Sequence, residues 1–320
     1  MKLLAIDGGG IRGIIPALVL QAIEERTGRR IAELFDLIAG SSTGGIIAAG
    51  LTLPDDDDGG GRARYNARDL IGLYEAEGPH IFDRSLLKRI TSIDGLIDER
   101  YDSKGLDAAL DAYLGRATLS EVVTDVLITA YEIENRFAFF FRSSRARTDP
   151  TYDFRLADAA RATAAAPTYF EPVRVTDVAG DRTYALIDGG VFAVNPVLCA
   201  YAEVARGGHG GEVIVIASLG TGAQTRGISF DDAKGWGQLQ WARPIVDVVF
   251  DGQAETTEFA MPRLLPVGVY HRFQIELTEA SDDLDDASPE NLVALRHEGQ
   301  RLVAERSDEI DALCAALTRG

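Results

Sequence analysis

Leu3-Leu4-Ala5-Ile6-Asp7-Gly8-Gly9-Gly10-Ile11-Arg12-Gly13 runs from four apolar residues into an acid and three glycines. Behind it, Ile14–Arg26 shows apolar positions at helical spacing until Gly28. The pattern predicts a short buried strand, a tight turn and an amphipathic helix closed by glycine. The unit then repeats: Phe35–Ala39 is a second apolar strand, Gly40-Ser41-Ser42-Thr43-Gly44-Gly45 a second turn, and a helix starts near Gly44. Further strands are expected at Val126–Tyr131, Ala138–Phe141, Tyr184–Ile187 and Glu212–Ala217, with helices between them. Parallel strands need crossovers, and helical crossovers cover both faces of the sheet they join. The fold class is therefore α/β: three layers, with a mostly parallel central sheet and helices on both faces.

The 320 residues suit one large domain spanning 1–320, with enough chain to bury a substantial core. Hydrophobic residues at 46% and charged residues at 26% match globular usage. A formal charge of −18 argues against a standing electrostatic hold on anionic lipid or nucleic acid, so no nucleic-acid polymer is expected as partner. Membrane contact has to be local and apolar. Met1-Lys2 leads straight into Leu3–Ile6, far short of a secretory or spanning segment, which sets a cytoplasmic expectation. Cys199 and Cys314 are unspaced thiols, read as reduced and buried.

Three segments interrupt the alternation. Asp55–Asp58 followed by Gly59-Gly60-Gly61 reads as a solvated loop; it lacks the alternating ligands and closing glutamate of a calcium loop, so no metal is expected there. Residues 220–266, with Trp236, Trp241 and Pro244 in mixed company, read as irregular structure that caps a cleft. Residues 288–318 read as a C-terminal helix packed on the body. Ser288 is its N-cap, Pro289 its first position, and Leu292, Leu295, Leu302, Ile310, Leu313 and Leu317 its buried stripe.

The first turn contains G-x-G-x-x-G at Gly8, Gly10 and Gly13, which alone suggests a dinucleotide site. Consecutive glycines do something more general: their N–H groups can converge on an anion beside a helix start. A carboxylate at Asp7 would repel pyrophosphate, and the second strand ends at Leu37-Ile38-Ala39-Gly40 with no acid for a ribose. An oxyanion suits the turn better, and no cofactor is expected. In the second turn Gly40, Ser42 and Gly44 form G-x-S-x-G, the pattern of a nucleophile elbow in which flanking glycines let strand and helix approach. At a helix start, charge developing on the serine oxygen or the substrate is stabilised.

A serine needs a base. Ser42, Asp188 and either His271 or His297 fit the order of an ordinary triad, but the elbow follows the second strand and the histidines lie outside distinctive motifs. Asp188-Gly189-Gly190 offers a carboxylate at the end of the apolar run Tyr184–Ile187, where sites of open α/β sheets lie, and Asn195-Pro196 begins the next helix with Asn195 as N-cap.

Together these residues resemble the patatin-like phospholipase family. Asp7–Gly13 looks like its oxyanion loop, Gly40–Gly45 like its elbow and Asp188-Gly189-Gly190 like its catalytic-aspartate motif. Arg161–Phe170 and Asn195-Pro196 look like its segments near the cleft. The compact layout around Trp236-Gly237 resembles bacterial members. The resemblance implies a Ser42–Asp188 dyad without histidine, an oxyanion hole from the N–H groups of Gly8, Gly9 and Gly10, and Arg12 held nearby. Gly40, Gly44, Gly189 and Gly190 would be its supporting residues. It implies a serine acyl hydrolase of phospholipid or other acyl-lipid esters, acting transiently at a membrane surface. In some bacterial members activity awaits a cyclic-nucleotide activator in antiphage defence; a further reading of this chain is a lipase silent until such an effector or self-association opens its cleft. A non-catalytic nucleotide-binding module is the competing reading of the first turn.

Overall fold

Leu4 and Ile6 leave one side of the first strand, Leu3 and Ala5 the other, and all four are fully buried. Both faces of that strand are therefore covered, as the apolar run predicts. The computed structural model describes residues 1–59, 61–82, 88–91, 97–223, 225–242 and 244–319. Its strands are β1 (Lys2–Ile6), β2 (Leu37–Gly40), a separate hairpin of β3 (Lys88–Thr91) and β4 (Ile97–Arg100), β5 (Asp125–Glu132), β6 (Phe137–Arg142), β7 (Val173–Thr176), β8 (Thr183–Asp188), β9 (Val215–Leu219) and β10 (Tyr270–Phe273). The central sheet runs β10-β9-β1-β2-β5-β8-β7, with β6 also paired to β5. The pairs β1–β2, β1–β9, β9–β10 and β2–β5 are parallel, so the sheet is mostly parallel.

The longer helices are α1 (Ile14–Thr27), α2 (Thr43–Thr52), α3 (Ala67–Ile81), α4 (Lys104–Leu114), α5 (Leu156–Thr163), α6 (Val197–Arg206), α7 (Pro244–Leu264), α8 (Pro289–Glu305) and α9 (Ser307–Thr318). Leu4, Ile6, Ile38, Val126 and Ile128 face a core shared with α1, α2, α3, α5, α8 and α9. Leu3, Ala5, Leu37, Leu127 and Ile216 face a smaller one with Val197, Ala200 and Val204 of α6 and Met261 of α7. Each such leucine or isoleucine contributes about 1.5–3 kcal/mol by leaving water. No helix among the described residues is long and apolar enough to cross a membrane.

Register decides where the chain's distant parts meet. β6 lies along β5 over Leu127–Glu132, so β2 and β8 must share the opposite edge. There Gly40, the last residue of β2, pairs with Ile128, while Asp188, the last residue of β8, pairs with Ala130. β2 runs parallel to β5 and β8 antiparallel, so the two strands meet end to end. Their final residues stand two positions apart, roughly 7 Å along the edge.

Several expectations need correction. Residues 220–266 are not all irregular: Pro244 starts the 21-residue α7, which reaches Leu264. Proline is tolerated in the first turn, where its missing N–H costs nothing. Gln224 and Arg243 of that segment, and Gly60 of the acidic loop, lie outside the described residues. The acidic loop contains one 3-10 turn, Asp56–Asp58, whose Asp57 N–H is accepted by the Asp55 side chain. The C-terminal stripe belongs to two helices divided at Arg306, with Leu295 and Leu302 buried on the first and Ile310, Leu313 and Leu317 on the second. β7 and β10 escaped the sequence reading because each has four residues and only one that is buried.

Candidate active site

The elbow exists because two glycines permit contacts that no side chain could. A Cβ on Gly40 would strike the Gly44 carbonyl, and one on Gly44 would strike the Ile6 carbonyl. Between them Ser42 has φ 52° and ψ −125°, a positive φ that non-glycine residues rarely hold. Its N–H donates to Thr163 Oγ1 at 2.8 Å, and its carbonyl accepts from Gly45 and Ile46 as α2 begins. Backbone strain is thus held by one buried side-chain bond from α5 and by the first turn of α2.

The first glycine turn leaves β1 beside it, since Ile6 pairs with Gly40. Its amides are not equivalent. Gly8 N–H donates to the Val194 carbonyl at 3.0 Å, Ile11 N–H to Leu284 at 2.9 Å and Arg12 N–H to Gly9 at 3.2 Å. The expectation of three glycine donors therefore narrows: Gly8 is committed elsewhere and instead packs on Ser42, whose Cβ would lie 3.1 Å from a Cβ at Gly8. The N–H groups of Gly9 and Gly10 have no acceptor among the described residues, nor does that of Thr43. Gly9, Gly10, Ser42 and Thr43 all line one cavity of about 70 Å3. Thr43 was not singled out from sequence, although the amide after an elbow serine is the expected companion donor. Two or three converging amides suit a single oxyanion and fall short of a dinucleotide's pyrophosphate cradle.

The cavity is otherwise apolar, lined by Ile46, Leu73, Phe82, Leu110, Tyr169 and Phe250 among others. Phe250 comes from α7, so the 220–266 segment supplies part of the wall over the site.

Asp188 is fully buried at the end of β8. Gly190 N–H donates to its Oδ1 at 2.7 Å, while Oδ2 makes no hydrogen bond within the protein. Burial raises its pKa from 3.8 to about 7; the Ser42 hydroxyl and the Gly190 amide pull in the other direction. The Ser42 hydroxyl therefore lies beside the carboxyl. A carboxyl of near-neutral pKa beside a hydroxyl can exchange a proton with it at ordinary pH. Gly189 is required for packing, since a Cβ there would enter Thr129 of β5.

Neither His271 nor His297, the triad alternatives, lines this cavity. His297 stands 3.5 Å from Glu279 with 60% of its side chain exposed. Arg12 is buried near the turn, with Nε 3.4 Å from the Gly9 carbonyl. Asp7 is anchored: its Oδ2 accepts from Arg272 at 2.7 Å, and Arg272 also reaches Glu258 of α7. Burial raises the Asp7 pKa to about 6, against the pull of Arg272. Asn195 Oδ1 accepts from Val197 N–H at 3.1 Å, but the N-cap of α6 is Pro196, so Asn195 stands one residue before the cap position expected for it. Thr163 falls within Arg161–Phe170, the segment expected near the cleft; nothing local in the sequence shows that its hydroxyl meets Ser42.

The patatin-like phospholipase family model matches residues 4–201. Patatin-like protein 2 of Arabidopsis thaliana is 33% identical over 341 residues, covering 95% of this chain and 83% of that protein. A Solanum tuberosum protein described as probable inactive patatin-3-Kuras 1 is 31% identical, covering 97% and 88%. Among solved structures, VipD from Legionella pneumophila covers 95% of this chain and 66% of its own, at 12% identity and a TM-score of 0.37. Similarity of that extent to the family model and to relatives along almost the whole chain leads to one assignment: the chain belongs to the patatin-like phospholipase family and is a lipid acyl hydrolase, a carboxylic ester hydrolase by class.

Proposed function

We propose that the protein cleaves fatty-acyl esters of membrane lipids, in the manner of a phospholipase A or lysophospholipase, through a Ser42–Asp188 dyad and an acyl-enzyme. One observation carries the reading: a buried carboxyl with a pKa raised to about 7 and an unpaired oxygen stands beside the hydroxyl of an elbow serine.

Asp188 takes the Ser42 proton as Oγ attacks the ester carbonyl carbon. Charge on the carbonyl oxygen is met by the free amides of Gly9 and Gly10, with Thr43 completing the hole. Collapse of the intermediate expels the lysolipid oxygen, which takes the proton back from Asp188, and the acyl group stays on Ser42. Water, deprotonated by Asp188, then attacks the acyl-enzyme and releases the fatty acid. The apolar cavity holds the acyl chain and keeps bulk water from the site, where each dipole is worth more than in solution. Contact with a lipid surface is transient and local, because a chain of net charge −18 gains nothing from anionic lipid at long range.

The test is covalent capture. A fluorophosphonate probe should label Ser42 in the wild-type protein and leave Ser42→Ala unlabelled, as read by peptide mass. Labelling at another serine, or ester hydrolysis that persists in Ser42→Ala, refutes the mechanism.

A further inference from the structure

A trans peptide points its C=O and its N–H in opposite directions, so an amide aimed at Ser42 is held by whatever binds the carbonyl at its other end. The Thr43 N–H shares its peptide with the Ser42 carbonyl, which accepts from Gly45 at 2.8 Å and from Ile46 at 3.2 Å as α2 begins. The Gly10 N–H shares its peptide with the Gly9 carbonyl, which accepts from Arg12 N–H at 3.2 Å and Arg12 Nε at 3.4 Å. Both peptides are held by two donors from their own turn or helix.

The Gly9 N–H is held differently. Its peptide begins with the Gly8 carbonyl, whose one donor among the described residues is the Thr221 hydroxyl at 2.8 Å, 213 positions further along the chain. Thr221 follows β9 and is 3% exposed. Gly8 and Thr221 line a hollow on the far side of the turn, whereas Gly9 lines the cavity of Ser42 and Thr221 does not. The hydroxyl therefore acts on the back of the peptide, and the N–H is presented at the front.

Glycine on both sides leaves this peptide free to rotate, since no Cβ opposes a change in ψ of Gly8 or φ of Gly9. Half a turn would withdraw the N–H and set a carbonyl oxygen against the charge that develops on the substrate. One hydroxyl opposes that rotation. A bond to the carbonyl also polarises the peptide and strengthens its N–H as a donor, by about 10–30%. The hydroxyl is itself well fixed: Gly220 N–H donates to the Phe273 carbonyl, Gly222 N–H to Gln274 Oε1 and Ala223 N–H to the Ile275 carbonyl, each at 2.8 Å. The chain on either side of Thr221 is thus bonded to β10 and the residues that follow it. Gly9 packs directly against this side chain, because a Cβ at Gly9 would enter Thr221.

We propose that Thr221 is a positioning residue for the oxyanion hole: by donating to the Gly8 carbonyl it keeps the Gly8–Gly9 peptide turned so that the Gly9 N–H faces the oxygen of the ester under attack. The assignment rests on the acyl-hydrolase reading of Ser42 and adds to it the group that sets one donor of the hole.

The test pairs Thr221→Val, which keeps the shape and removes the hydroxyl, with Thr221→Ser, which keeps the hydroxyl. On nitrophenyl butyrate the valine variant should lose at least about tenfold in kcat with KM within about twofold, short of the roughly 10²–10³ that follows loss of a whole oxyanion donor. The serine variant should return kcat to within about threefold of wild type. Affinity for a trifluoromethyl ketone, whose adduct with Ser42 carries the oxyanion, should fall by the same factor as kcat/KM. The midpoint of the pH–rate profile should stay near 7, where Asp188 sets it. A packing role alone would not divide the variants by their hydroxyl or link rate to ketone affinity. Unchanged kcat in Thr221→Val, equal losses in the valine and serine variants, or a fall in kcat with ketone affinity intact overturns the proposal. Thr221→Cys, a weaker donor of similar size, should fall between the two and carries the comparison where valine does not fold; a cysteine variant slower than an intact hydroxyl requires supports the role, and one as fast as wild type refutes it. A wild-type protein that neither hydrolyses the ester nor takes the ketone on Ser42 fails the hydrolase reading, and the role of Thr221 with it.

Discussion

Asp188→Asn should abolish hydrolysis and stabilise the fold, because the feature proposed for catalysis is a destabilising one. In the folded chain the carboxyl is fully buried with one oxygen unpaired, and its pKa stands at about 7 instead of 3.8. Protonation is therefore favoured by folding. Relative to an unperturbed group, Asp188 carries no penalty below about pH 4; the penalty grows as pH rises between there and the folded pKa near 7, and is constant above it. At 1.36 kcal/mol per pKa unit, the full penalty above pH 7 is about 4 kcal/mol. Asparagine keeps the shape, can still accept from the Gly190 N–H and carries no charge. Part of the gain is lost because its amide needs a partner, so about 1–3 kcal/mol should remain. With about 2–4 °C per kcal/mol in chains of 150–250 residues, and somewhat less in a longer one, the melting temperature at pH 8 should rise by a few degrees. Thermal unfolding of wild type and variant across pH 5.5–8.5 provides the assay. Their difference should be constant above about pH 7.5 and shrink by about 2 kcal/mol as pH falls to 5.5, where the folded carboxyl is protonated and the unfolded one still charged. A difference independent of pH, or a variant less stable throughout, refutes the assignment of a buried, strained carboxylate. Hydrolysis by the wild type should show the mirror image, rising with pH through about 7 as the base ionises.

Ser42→Ala should lower kcat on a nitrophenyl ester by at least about 10³ with little change in melting temperature, since a small side chain is trimmed in an otherwise intact turn. Thr163→Val should lower kcat by roughly tenfold, because it leaves the buried Ser42 N–H without its acceptor and frees the elbow, while Thr163→Ser should restore most of the rate; equal rates in both variants would remove Thr163 from any positioning role. Ala109→Phe, in the wall of the apolar cavity, should depress hydrolysis of long acyl esters far more than short ones, and uniform loss would mean that acyl chains lie elsewhere. Gly40→Ala should fail to yield soluble folded protein or cost several kcal/mol, as its Cβ would enter the Gly44 carbonyl.

The local code was legible. Apolar tetrads followed by glycine turns located β1, β2 and the start of α2, and glycines at 40 and 44 identified Ser42 as an elbow residue, because strand, turn and helix geometry depend on near neighbours. Asp188 as the base came from the resemblance alone; the family itself is what the comparisons bear out. What sequence reading assigned wrongly was set by contacts between distant segments. Gly8 was expected to donate like its neighbours, but Val194 occupies its N–H. α7 was taken for irregular chain, since its apolar residues serve partly the acyl cavity and partly the second core, leaving no single stripe to read.

The sequence by itself determined the order of strands and helices, the two glycine turns and the chemical identity of the serine and the aspartate, all of which follow from short-range sterics and the period of apolar residues. Only the tertiary structure decided that these groups lie together. β2 and β8 share one edge of β5 and meet end to end, which brings Gly40 and Asp188 within two positions of each other. Burial there, a property of the whole packed sheet and not of residue 188, is what raises the carboxyl toward neutrality. Thr163 entered the site for the same reason: its meeting with Ser42 depends on how α5 packs, and no local pattern encodes that.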